Sequence, residues 1–431
     1  MKMLFRNILR ECARTIVSIY KPRIIAITGS VGKTSTKAAI AAVLDEEHSS
    51  GRVRVAQGSF NTDWGVPITI IGGAYPGGSV WRWFVVLMRA LRLILWRDPT
   101  YPSTLVLEMG ADCKGDIGRL VTIAPPTVAV VTAIAPAHLE RFGSLEAIAR
   151  EKLRLLKGLP SNGTAIVSSD VAKQWSLKEW SHAPILVVGD ASSSDGIFGS
   201  DIHYRAQSRS THARGTTFKL HWKGSVIPCF LPDVVGESAV ASATLAATVG
   251  IIEGVGILDV TQRLSHSRFP SGRMHLLEGV RHSMIIDDSY NASPQAMIAA
   301  LAVLQRLGEA EGRSTWAVLG DMAELGAQTE GFHREVGTYI ATSQPTRLVS
   351  VGPNARFIAL QAIESGYPVE QVRRTTDAWE AGRMIQQDMR EGDLMLVKGS
   401  QVMRMERVVK ELMANPLDAK TLLVRQDWWW H

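Results

Sequence analysis

The residues of this sequence that could do chemistry begin at Ile27, where the stretch ITGSVGKTST follows the apolar run RIIAI. A glycine turn between a strand and a helix lets backbone N–H groups approach phosphate oxygens, while Lys33 supplies a positive charge and Thr34 a hydroxyl for Mg²⁺. The spacing departs from the standard phosphate-binding loop (P-loop), because Ile27 occupies the position of its first glycine. The stretch still predicts a nucleoside triphosphate site, with these candidate binding residues: Gly29, Ser30, Gly32, Lys33, Thr34 and Ser35.

A magnesium ion at such a loop needs hard oxygen ligands, and these usually come from a neighbouring strand end. Glu108 ends the apolar run TLVLE and is the candidate carboxylate. His138 follows a further apolar run, TVAVVTAI. A lone histidine is more often structural, but this one follows a second strand that ends near the same crevice, which favours a metal or phosphate role. Lys152, judged on spacing alone, is an ordinary cation on a helix.

These residues must be positioned by alternating strands and helices. From Arg23 to about residue 268, apolar strands alternate with helical patterns, which predicts an α/β fold with a mostly parallel sheet. The stretch SHSRFPSGR then interrupts the periodicity at Pro270 and Gly272 and predicts a linker. Residues 269–431 repeat strand and helix four times, which predicts a second, Rossmann-like doubly wound domain.

The amino-acid composition restricts the classes of function that this chain can have. The chain has 431 residues, of which 46% are hydrophobic and 20% charged, and this suits a globular protein of two or three domains. Its three cysteines are too few for a disulfide framework, which favours a reducing, cytoplasmic setting. The formal charge of +6 comes without a basic run or interleaved aromatic residues, so we expect no nucleic-acid partner.

Two helical segments of the sequence are relevant to possible membrane binding. Residues 1–22 form a basic amphipathic pattern, with arginines at every fourth position from Arg6 to Arg14. A second, apolar helical segment lies within residues 74–103, and its arginines share one side of the helix from Val80 to Arg97. Four arginines argue against a transmembrane span. They leave two interpretations open, a helix lying on a membrane surface and a helix packed against protein.

The ordered motifs resemble those of the Mur ligases. These motifs are ITGSVGKTS, GSFNTDWGVP, LVLEMGADCKGDIG, AHLERFGSLEAIAREK, SGRM, DDSYNASP, VLGDMAELG and LVKGS. The resemblance runs from Arg23 to the helix after Ser400, and DDSYNASP and VLGDMAELG are most similar to members that add D-alanyl-D-alanine. Eight motifs in one order make a chance match improbable.

The resemblance implies ATP and two Mg²⁺ ions as cofactors. It assigns Lys33 and Thr34 to the ATP phosphates and Mg²⁺, and Glu108 and His138 to the two metal ions. Lys152 becomes a carbamylated lysine, whose added carboxylate suits a hard metal. The remaining implied roles belong to Arg273 at the phosphates, Asp288 and Asn291 at the nucleotide, Asn61 and Thr62 at the substrate, and Glu324, His333, Lys398 and Ser400 around the incoming amine.

The implied reaction joins a carboxylate-bearing cell-wall precursor to an amine, with D-alanyl-D-alanine as the expected amine. ATP phosphorylates the carboxylate, and the amine then displaces phosphate. The family's N-terminal UDP-binding domain has no counterpart before the P-loop strand, so we expect the acceptor to be bound in a different way. With the two helical segments, this raises the hypothesis of a lipid-linked acceptor and peripheral contact at the inner face of the membrane.

Three other interpretations stay open at this point. A folylpolyglutamate synthase-like acceptor would use the same P-loop, histidine and lysine. A non-catalytic nucleotide-binding scaffold on a membrane would keep the fold without turnover. A P-loop kinase or GTPase is disfavoured, because the sequence lacks an N-K-x-D guanine motif and such an enzyme would not need Lys152. The oligomeric state is left open by the sequence.

Overall fold

The structure is a computed structural model that describes residues 2–44, 52–58, 60–136, 139–190, 202–204, 210–212 and 214–426. His138, a predicted metal ligand, lies outside the described residues. The structure has two sheets, the first between Arg23 and Pro232 and the second between His275 and Lys398. The predicted boundary at residue 268 therefore falls in the segment between the sheets, and it stays a prediction.

The part of the chain that builds the first sheet alternates strands and helices. Its elements are, in chain order, α1 (Lys2–Tyr20), β1 (Arg23–Thr28), α2 (Lys33–Val43), β2 (Val53–Val55), α3 (Gly65–Ile71), α4 (Val80–Leu95), β3 (Thr104–Glu108), α5 (Asp116–Ile123), β4 (Val128–Val131), α6 (Leu139–Phe142), α7 (Leu145–Lys157), β5 (Thr164–Ser168), α8 (Ser169–Gln174), β6 (Ile185–Asp190), β7 (Ile202–Tyr204), β8 (Ser210–His212), β9 (Gly215–Trp222), β10 (Ser225–Pro232), α9 (Glu237–Ile252) and α10 (Ile257–Ser265).

Strand β1 lies inside the first sheet, between β3 and β4, and runs parallel to both. The strand order is β10-β9-β7-β6-β5-β4-β1-β3-β2, with β8 paired to β9. Strands β2 to β7 pair in parallel, whereas β9 is antiparallel to β7, β8 and β10. The carboxyl ends of β1, β3 and β4 therefore meet at one edge, where α/β sheets bind ligands.

Both faces of this sheet are buried, which explains the nearly continuous apolar strands. On β1, Ile24 and Ala26 pack into a core shared with α1, α4, α5 and α7. Ile25 and Ile27 point to the opposite face and pack with α2, α9 and α10. The P-loop thus leaves a strand that is fixed on both sides.

The second sheet is smaller and is also covered on both faces. Its order is β11-β12-β16-β13-β14-β15, parallel except for the edge strand β11. The elements are β11 (His275–Glu278), β12 (Met284–Asp288), α11 (Pro294–Glu311), β13 (Thr315–Gly320), α12 (Thr329–Ser343), β14 (Arg347–Val351), α13 (Arg356–Glu364), β15 (Val372–Thr375), α14 (Ala378–Asp388), β16 (Leu394–Lys398), α15 (Glu406–Leu412) and α16 (Ala419–Leu422). The predicted α/β fold class is confirmed.

Helices α1 and α4 pack against each other at the edge of the first core. On α1, Leu9, Ala13 and Ile16 are fully buried. On α4, Val86 and Leu93 are buried, whereas the opposite side of the helix is exposed. Across the described residues, no helix combines the length and the hydropathy that a membrane crossing requires.

Candidate nucleotide site between the two sheets

The P-loop between β1 and α2 depends on two glycines. Gly29 has a φ of 153°, and a Cβ placed there would lie 2.0 Å from Thr132 Oγ1, so only glycine fits. Gly32 precedes α2 with a φ of 86°. The Ser30 amide donates to Ala133 O (2.6 Å) and the Ser30 hydroxyl to Ala135 O (2.9 Å), so the loop is tied to the segment after β4.

Lys33 begins α2 and folds back over the loop. Its Nζ donates to the carbonyl oxygens of Gly29 (2.8 Å) and Ser30 (3.3 Å). Burial lowers the pKa of Lys33, although Glu108 acts in the opposite direction. This ammonium lies at the N-terminus of α2 beside the backbone N–H groups of the first helical turn, an arrangement that binds phosphate. Ser35, also predicted at the nucleotide, is buried in the first turn of α2.

Thr34 and Glu108 provide adjacent hard oxygen atoms. The Thr34 hydroxyl donates to Glu108 Oε2 (3.1 Å), and Asn61 Nδ2 donates to Glu108 Oε1 (3.1 Å). A hydroxyl and a carboxylate beside a P-loop form the donor set that Mg²⁺ prefers. Thr34 and Glu108 therefore fit the predicted magnesium ion.

Lys37 is a member of this site that sequence reasoning missed. It lies one helical turn after Lys33, and its Nζ is 3.4 Å from Glu108 Oε2, with both side chains buried. Nζ also donates to Gly58 O. Burial raises the pKa of Glu108, but Lys37 and Lys33 outweigh burial, and the pKa lies below its ordinary value. Glu108 is thereby kept as a carboxylate. The sequence signal for Lys37 was its spacing of four residues from Lys33, which places both lysines on one side of α2.

Arg273 reaches the site from the segment between the two sheets. Its Nη2 donates to Thr34 Oγ1 (3.0 Å), and its guanidinium lies 4.0 Å from the centre of the Tyr290 ring. Thr34 is therefore in contact with Glu108 on one side and with Arg273 on the other. The predicted position of Arg273 near the phosphates is compatible with this contact.

Asp288 and Lys398 meet where β12 and β16 end side by side. Lys398 Nζ donates to Asp288 Oδ2 (2.6 Å) and to Asn291 O (2.9 Å), and the Met274 amide donates to Asp288 Oδ1 (3.2 Å). Burial raises the pKa of Asp288, against the effect of Lys398. The structure thus brings together Asp288, Asn291 and Lys398 next to the segment that carries Arg273.

Three further predicted residues meet at the loop after β13: Glu324 lies within it, His333 lies on α12, and Ser400 follows β16. His333 is fully buried: the Met322 amide donates to its Nε2 (3.0 Å), and its Nδ1 contacts Thr329 O (2.6 Å). The Ser400 hydroxyl accepts from the Ala323 amide (2.8 Å). Glu324 has a positive φ of 64° in the same loop. His333 and Ser400 therefore fix this loop, and their predicted contact with the amine stays a prediction.

Lys152 lies on α7 and is 3% exposed. In the part of the chain that the structure describes, its Nζ makes no hydrogen bond or ion pair. Burial, followed by the neighbouring Lys33, lowers the pKa of Lys152 to about 7. A buried lysine with this pKa is partly neutral at neutral pH, as an amine must be to react with CO₂.

A cleft of about 240 Å³ opens beside the P-loop. Lys33 and Lys152 both line it, and so do Asn61 and Thr62, the two residues predicted at the substrate. The complete lining is Arg6, Ser30, Lys33, Asn61, Thr62, Asp63, Trp64, Gly110, Ala111, Asp112, Asp116, Arg119, Leu120 and Lys152. The cleft thus joins the phosphate-binding loop to a wall of charged residues.

The fold and the site define a two-domain α/β protein of the P-loop nucleotide-binding class. The profile of the Mur ligase middle domain matches residues 93–250, and that of the Mur ligase glutamate ligase domain matches residues 272–401. The chain therefore belongs to the Mur ligase family, and curated relatives that are 31% identical to it support the same assignment. The predicted family and its ligase class are confirmed.

Curated relatives cover nearly the whole chain. The UDP-N-acetylmuramoyl-tripeptide–D-alanyl-D-alanine ligase of Bacillus subtilis is 31% identical over 411 residues, which is 95% of this chain and 80% of the relative. That of Escherichia coli is 31% identical over 401 residues, which is 91% of this chain and 77% of the relative. The MurF ligase of Thermotoga maritima, solved with ADP, shares the fold with a TM-score of 0.74 at 24% identity, over 94% of this chain and 83% of that one.

Proposed function

We propose that the chain is an ATP-dependent ligase that joins D-alanyl-D-alanine to a carboxylate of a UDP-N-acetylmuramoyl-tripeptide in peptidoglycan precursor synthesis. The observation that carries this proposal is the position of the Thr34 hydroxyl, which contacts Glu108 at 3.1 Å and Arg273 at 3.0 Å. A metal-binding carboxylate and a phosphate-binding guanidinium thus converge on one P-loop residue. The two curated relatives carry this substrate in their names.

In the first step, an oxygen of the acceptor carboxylate attacks the γ-phosphorus of ATP, and ADP leaves. Lys33 and Arg273 hold the phosphates and offset the repulsion between two anions. Thr34 and Glu108 would hold a Mg²⁺ ion, which would supply further charge neutralisation. The product is an acyl phosphate, whose carbonyl carbon is reactive towards an amine.

In the second step, the amine of D-alanyl-D-alanine attacks that carbonyl carbon, and phosphate leaves as the amide forms. The loop after β13, held by His333 and Ser400, forms the wall for the amine in this proposal. Asp288, Asn291 and Lys398 bind the nucleotide from the second sheet. The contact between Arg273 and Thr34 supports this arrangement, because it brings the second sheet to the P-loop.

A carbamate on Lys152 completes the metal site in this proposal. The Lys152 cation first releases one proton. Addition of CO₂ to the neutral amine then forms an N–C bond and releases a second proton, which leaves an anionic carbamate with oxygen atoms that can bind a metal ion. Burial of Lys152 beside Lys33 favours this change, because the unmodified cation has no partner among the described residues. With His138, the carbamate would hold a second Mg²⁺ ion.

Mass spectrometry of the products tests the proposal. The intact chain is incubated with ATP, Mg²⁺, D-alanyl-D-alanine and a mixture of soluble and lipid-linked cell-wall precursors, with a folate acceptor and glutamate in a parallel reaction. We expect a UDP-linked precursor that is longer by one dipeptide. A product made only from the lipid-linked precursor would reassign the acceptor, and a folate product or ATP hydrolysis without any ligated product would contradict the proposal.

We also propose peripheral contact with an anionic membrane surface, at its cytoplasmic face. At about 100° per residue, Trp81, Met88 and Leu95 fall in line on the outward side of α4. They are 70%, 47% and 58% exposed. Tryptophan at the two ends of the helix, Trp81 and Trp96, matches residues that favour membrane interfaces.

Arginines flank this apolar strip on one edge of α4. Arg82, Arg89 and Arg92 lie beside it, and Arg92 is exposed although it is 3.6 Å from Asp98. An exposed apolar strip with a cationic edge is complementary to a bilayer that contains anionic lipid. The 16 residues of α4 suit a helix that lies in the plane of the interface.

Flotation with liposomes tests this contact. We expect the intact chain to float with vesicles containing phosphatidylglycerol but not with neutral vesicles. The double variant Phe84→Glu, Met88→Glu, which changes two exposed apolar residues of α4, should remain unbound. Leu258→Glu, which changes an exposed leucine on α10, is the matched control and should bind. If the wild-type chain does not bind anionic vesicles, the membrane proposal is excluded and the ligase proposal is unaffected.

A further inference from the structure

The lining of the cleft also includes Arg6, which is contributed by α1. Arg6 makes no hydrogen bond or ion pair with any described residue, and its Nε is buried without a partner. By contrast, Arg119 in the same cleft contacts Asp63 (Nε to Oδ2, 3.4 Å) and Asp116. Arg6 thus lines the cleft as a cation whose hydrogen-bond donors contact no described residue.

Asp63 presents the complementary group in the same cleft. Its Oδ2 faces Arg119, but its Oδ1 is buried and accepts no hydrogen bond from the residues that the structure describes. Arg6 and Asp63 do not pair with each other. Among the described residues of the cleft, Arg6 is therefore a cationic donor and Asp63 Oδ1 an anionic acceptor without a partner, although a direct ion pair would have satisfied both.

Aromatic packing holds the two groups in place. Phe5, next to Arg6, stacks on Trp64 with ring centres 6.3 Å apart and meets Trp83 edge-on at 5.1 Å. Trp64 follows Asp63 in the chain and contacts Trp83 at 5.5 Å. One aromatic cluster therefore holds the chain at both Arg6 and Asp63. This packing restricts movement of the two side chains towards each other.

We infer that Arg6 and Asp63 form a subsite for an amino-acid zwitterion at the end of the acceptor's last side chain. The carboxylate of that group binds Arg6, and its ammonium binds Asp63. This inference rests on the proposed function: Lys33 and Lys152 mark the end of the cleft where the reacting carboxylate lies. A single residue in the cleft then places its main-chain carboxylate at the P-loop and its side-chain end at the subsite.

The subsite makes Arg6 and Asp63 determinants of acceptor specificity. An acceptor whose last side chain ends in an ammonium alone satisfies Asp63 but leaves Arg6 unpaired. An uncharged side chain leaves both groups unpaired. Because unpaired buried charges oppose binding, affinity should fall in the order zwitterion, ammonium, uncharged.

Three acceptors test the subsite. They are UDP-N-acetylmuramoyl-tripeptides that end in meso-diaminopimelate, L-lysine or norleucine, and their binding to the intact chain is measured by calorimetry without ATP. We expect wild type to prefer diaminopimelate over lysine by tenfold or more, and Arg6→Gln to abolish that preference. Asp63→Asn should reduce the preference for lysine over norleucine, while its melting temperature checks that it folds.

Arg14→Gln is the matched control on α1, because Arg14 is exposed and pairs with Glu11. In turnover assays, Arg6→Gln should raise KM for the diaminopimelate acceptor with little change in kcat, since Arg6 does not touch the reacting atoms. Equal affinities of wild type and Arg6→Gln for all three acceptors, or no binding of any of them, would overturn the subsite. Ligated product with unchanged preferences would overturn the subsite alone, and binding with the expected preference but without ligation would overturn only the proposed function.

Discussion

Individual residues at the site act through the charges that surround them. Glu108 is buried, yet it remains a carboxylate because Lys37 and Lys33 lie beside it. Burial, followed by the neighbouring Lys33, lowers the pKa of Lys152 to about 7. One P-loop lysine thus favours an anion at position 108 and a neutral amine at position 152.

Replacing Lys152 tests the carbamate. We expect Lys152→Ala to lose about 100-fold or more in ligation rate, and acetate or propionate to restore part of it by filling the vacated ligand position. In wild type, activity should depend on bicarbonate and increase from about pH 6 to about pH 8, because the neutral amine becomes more abundant as pH rises through its pKa. Initial rates measure both effects.

Lys157→Ala is the control for this series. Lys157 lies on the same helix, is exposed and stacks over Trp180, so its removal should leave the rate unchanged. Full activity of Lys152→Ala in a buffer without added carboxylate would show that no carbamate is required.

Replacing Lys37 tests the buried ion pair. Lys37→Met removes one partner and leaves the Glu108 carboxylate uncompensated, which should cost about 3–5 kcal/mol of the free energy of unfolding. The pKa of Glu108 should rise as well, so that retention of Mg²⁺ becomes weaker at acidic pH. Chemical denaturation and Mg²⁺ titration measure the two effects, and an unchanged denaturation midpoint would contradict this account of Glu108.

Part of the site could be predicted from local sequence. Glu108 and the P-loop glycines occupy strand ends, and a strand end can be recognised from the apolar run before it. Lys152 could not be assigned in this way, because a lysine on an amphipathic helix carries no local signal for a carbamate. Arg6 and Asp63 share a cleft only through packing of α1 against the first core, which no spacing in the sequence specifies.

Among the elements, β12 carries a buried acid that should make stability depend on pH. Asp287 is fully buried; the Ser289 amide donates to its Oδ1 (3.1 Å), but its Oδ2 has no partner within the described ranges of the chain. Burial raises the pKa of Asp287 from 3.8 to about 6. The folded state thus binds more protons than the unfolded state between these values, and stability falls as pH rises through that window.

Asp287→Asn should remove this penalty. We expect the free energy of unfolding to rise by about 1–3 kcal/mol at neutral pH and to change little near the pH at which Asp287 is protonated in both states. Denaturant titrations of both proteins measure the difference. Asp388→Asn, which changes a half-exposed acid, is the control, and a variant that is less stable than wild type at neutral pH would argue against this interpretation.

Periodicity predicted part of the elements. The parallel strands β1 and β3 to β5 are recognisable as apolar runs, but the antiparallel pair β9 and β10 is not distinguished by this pattern. The turn between them places Lys223 and Gly224 at positive φ values of 43° and 81°. A two-residue turn ending in glycine is a hairpin signal that the apolar pattern alone does not contain.

At the scale of the whole molecule, Arg273 connects the segment before the second sheet to the P-loop of the first sheet. Its contact with Thr34 joins residues 239 positions apart in the chain. Such a contact depends on how the domains pack, so the sequence could indicate Arg273 only through resemblance. A nucleotide held by the P-loop and by Arg273 should stabilise both parts of the molecule together.

Arg273→Gln tests this coupling. With a non-hydrolysable ATP analogue and Mg²⁺ at about 100 times the dissociation constant, wild type should gain about 2.7 kcal/mol of stability. At the same analogue concentration the variant should gain much less. Arg306→Gln, which alters the exposed pair with Glu237 on the other side of the interface, is the control. Thermal unfolding measures the gain, and an unchanged gain in Arg273→Gln would contradict the coupling.

The most direct test follows one oxygen atom. The acceptor is prepared with ¹⁸O in its reacting carboxylate and is incubated with the intact chain, ATP, Mg²⁺ and D-alanyl-D-alanine, and the released phosphate is analysed by mass spectrometry. If the carboxylate receives the phosphoryl group, each phosphate carries one ¹⁸O atom and the amide product keeps the other. Phosphate without ¹⁸O would mean that water or another group attacks ATP, and this would contradict the proposed activation of the acid.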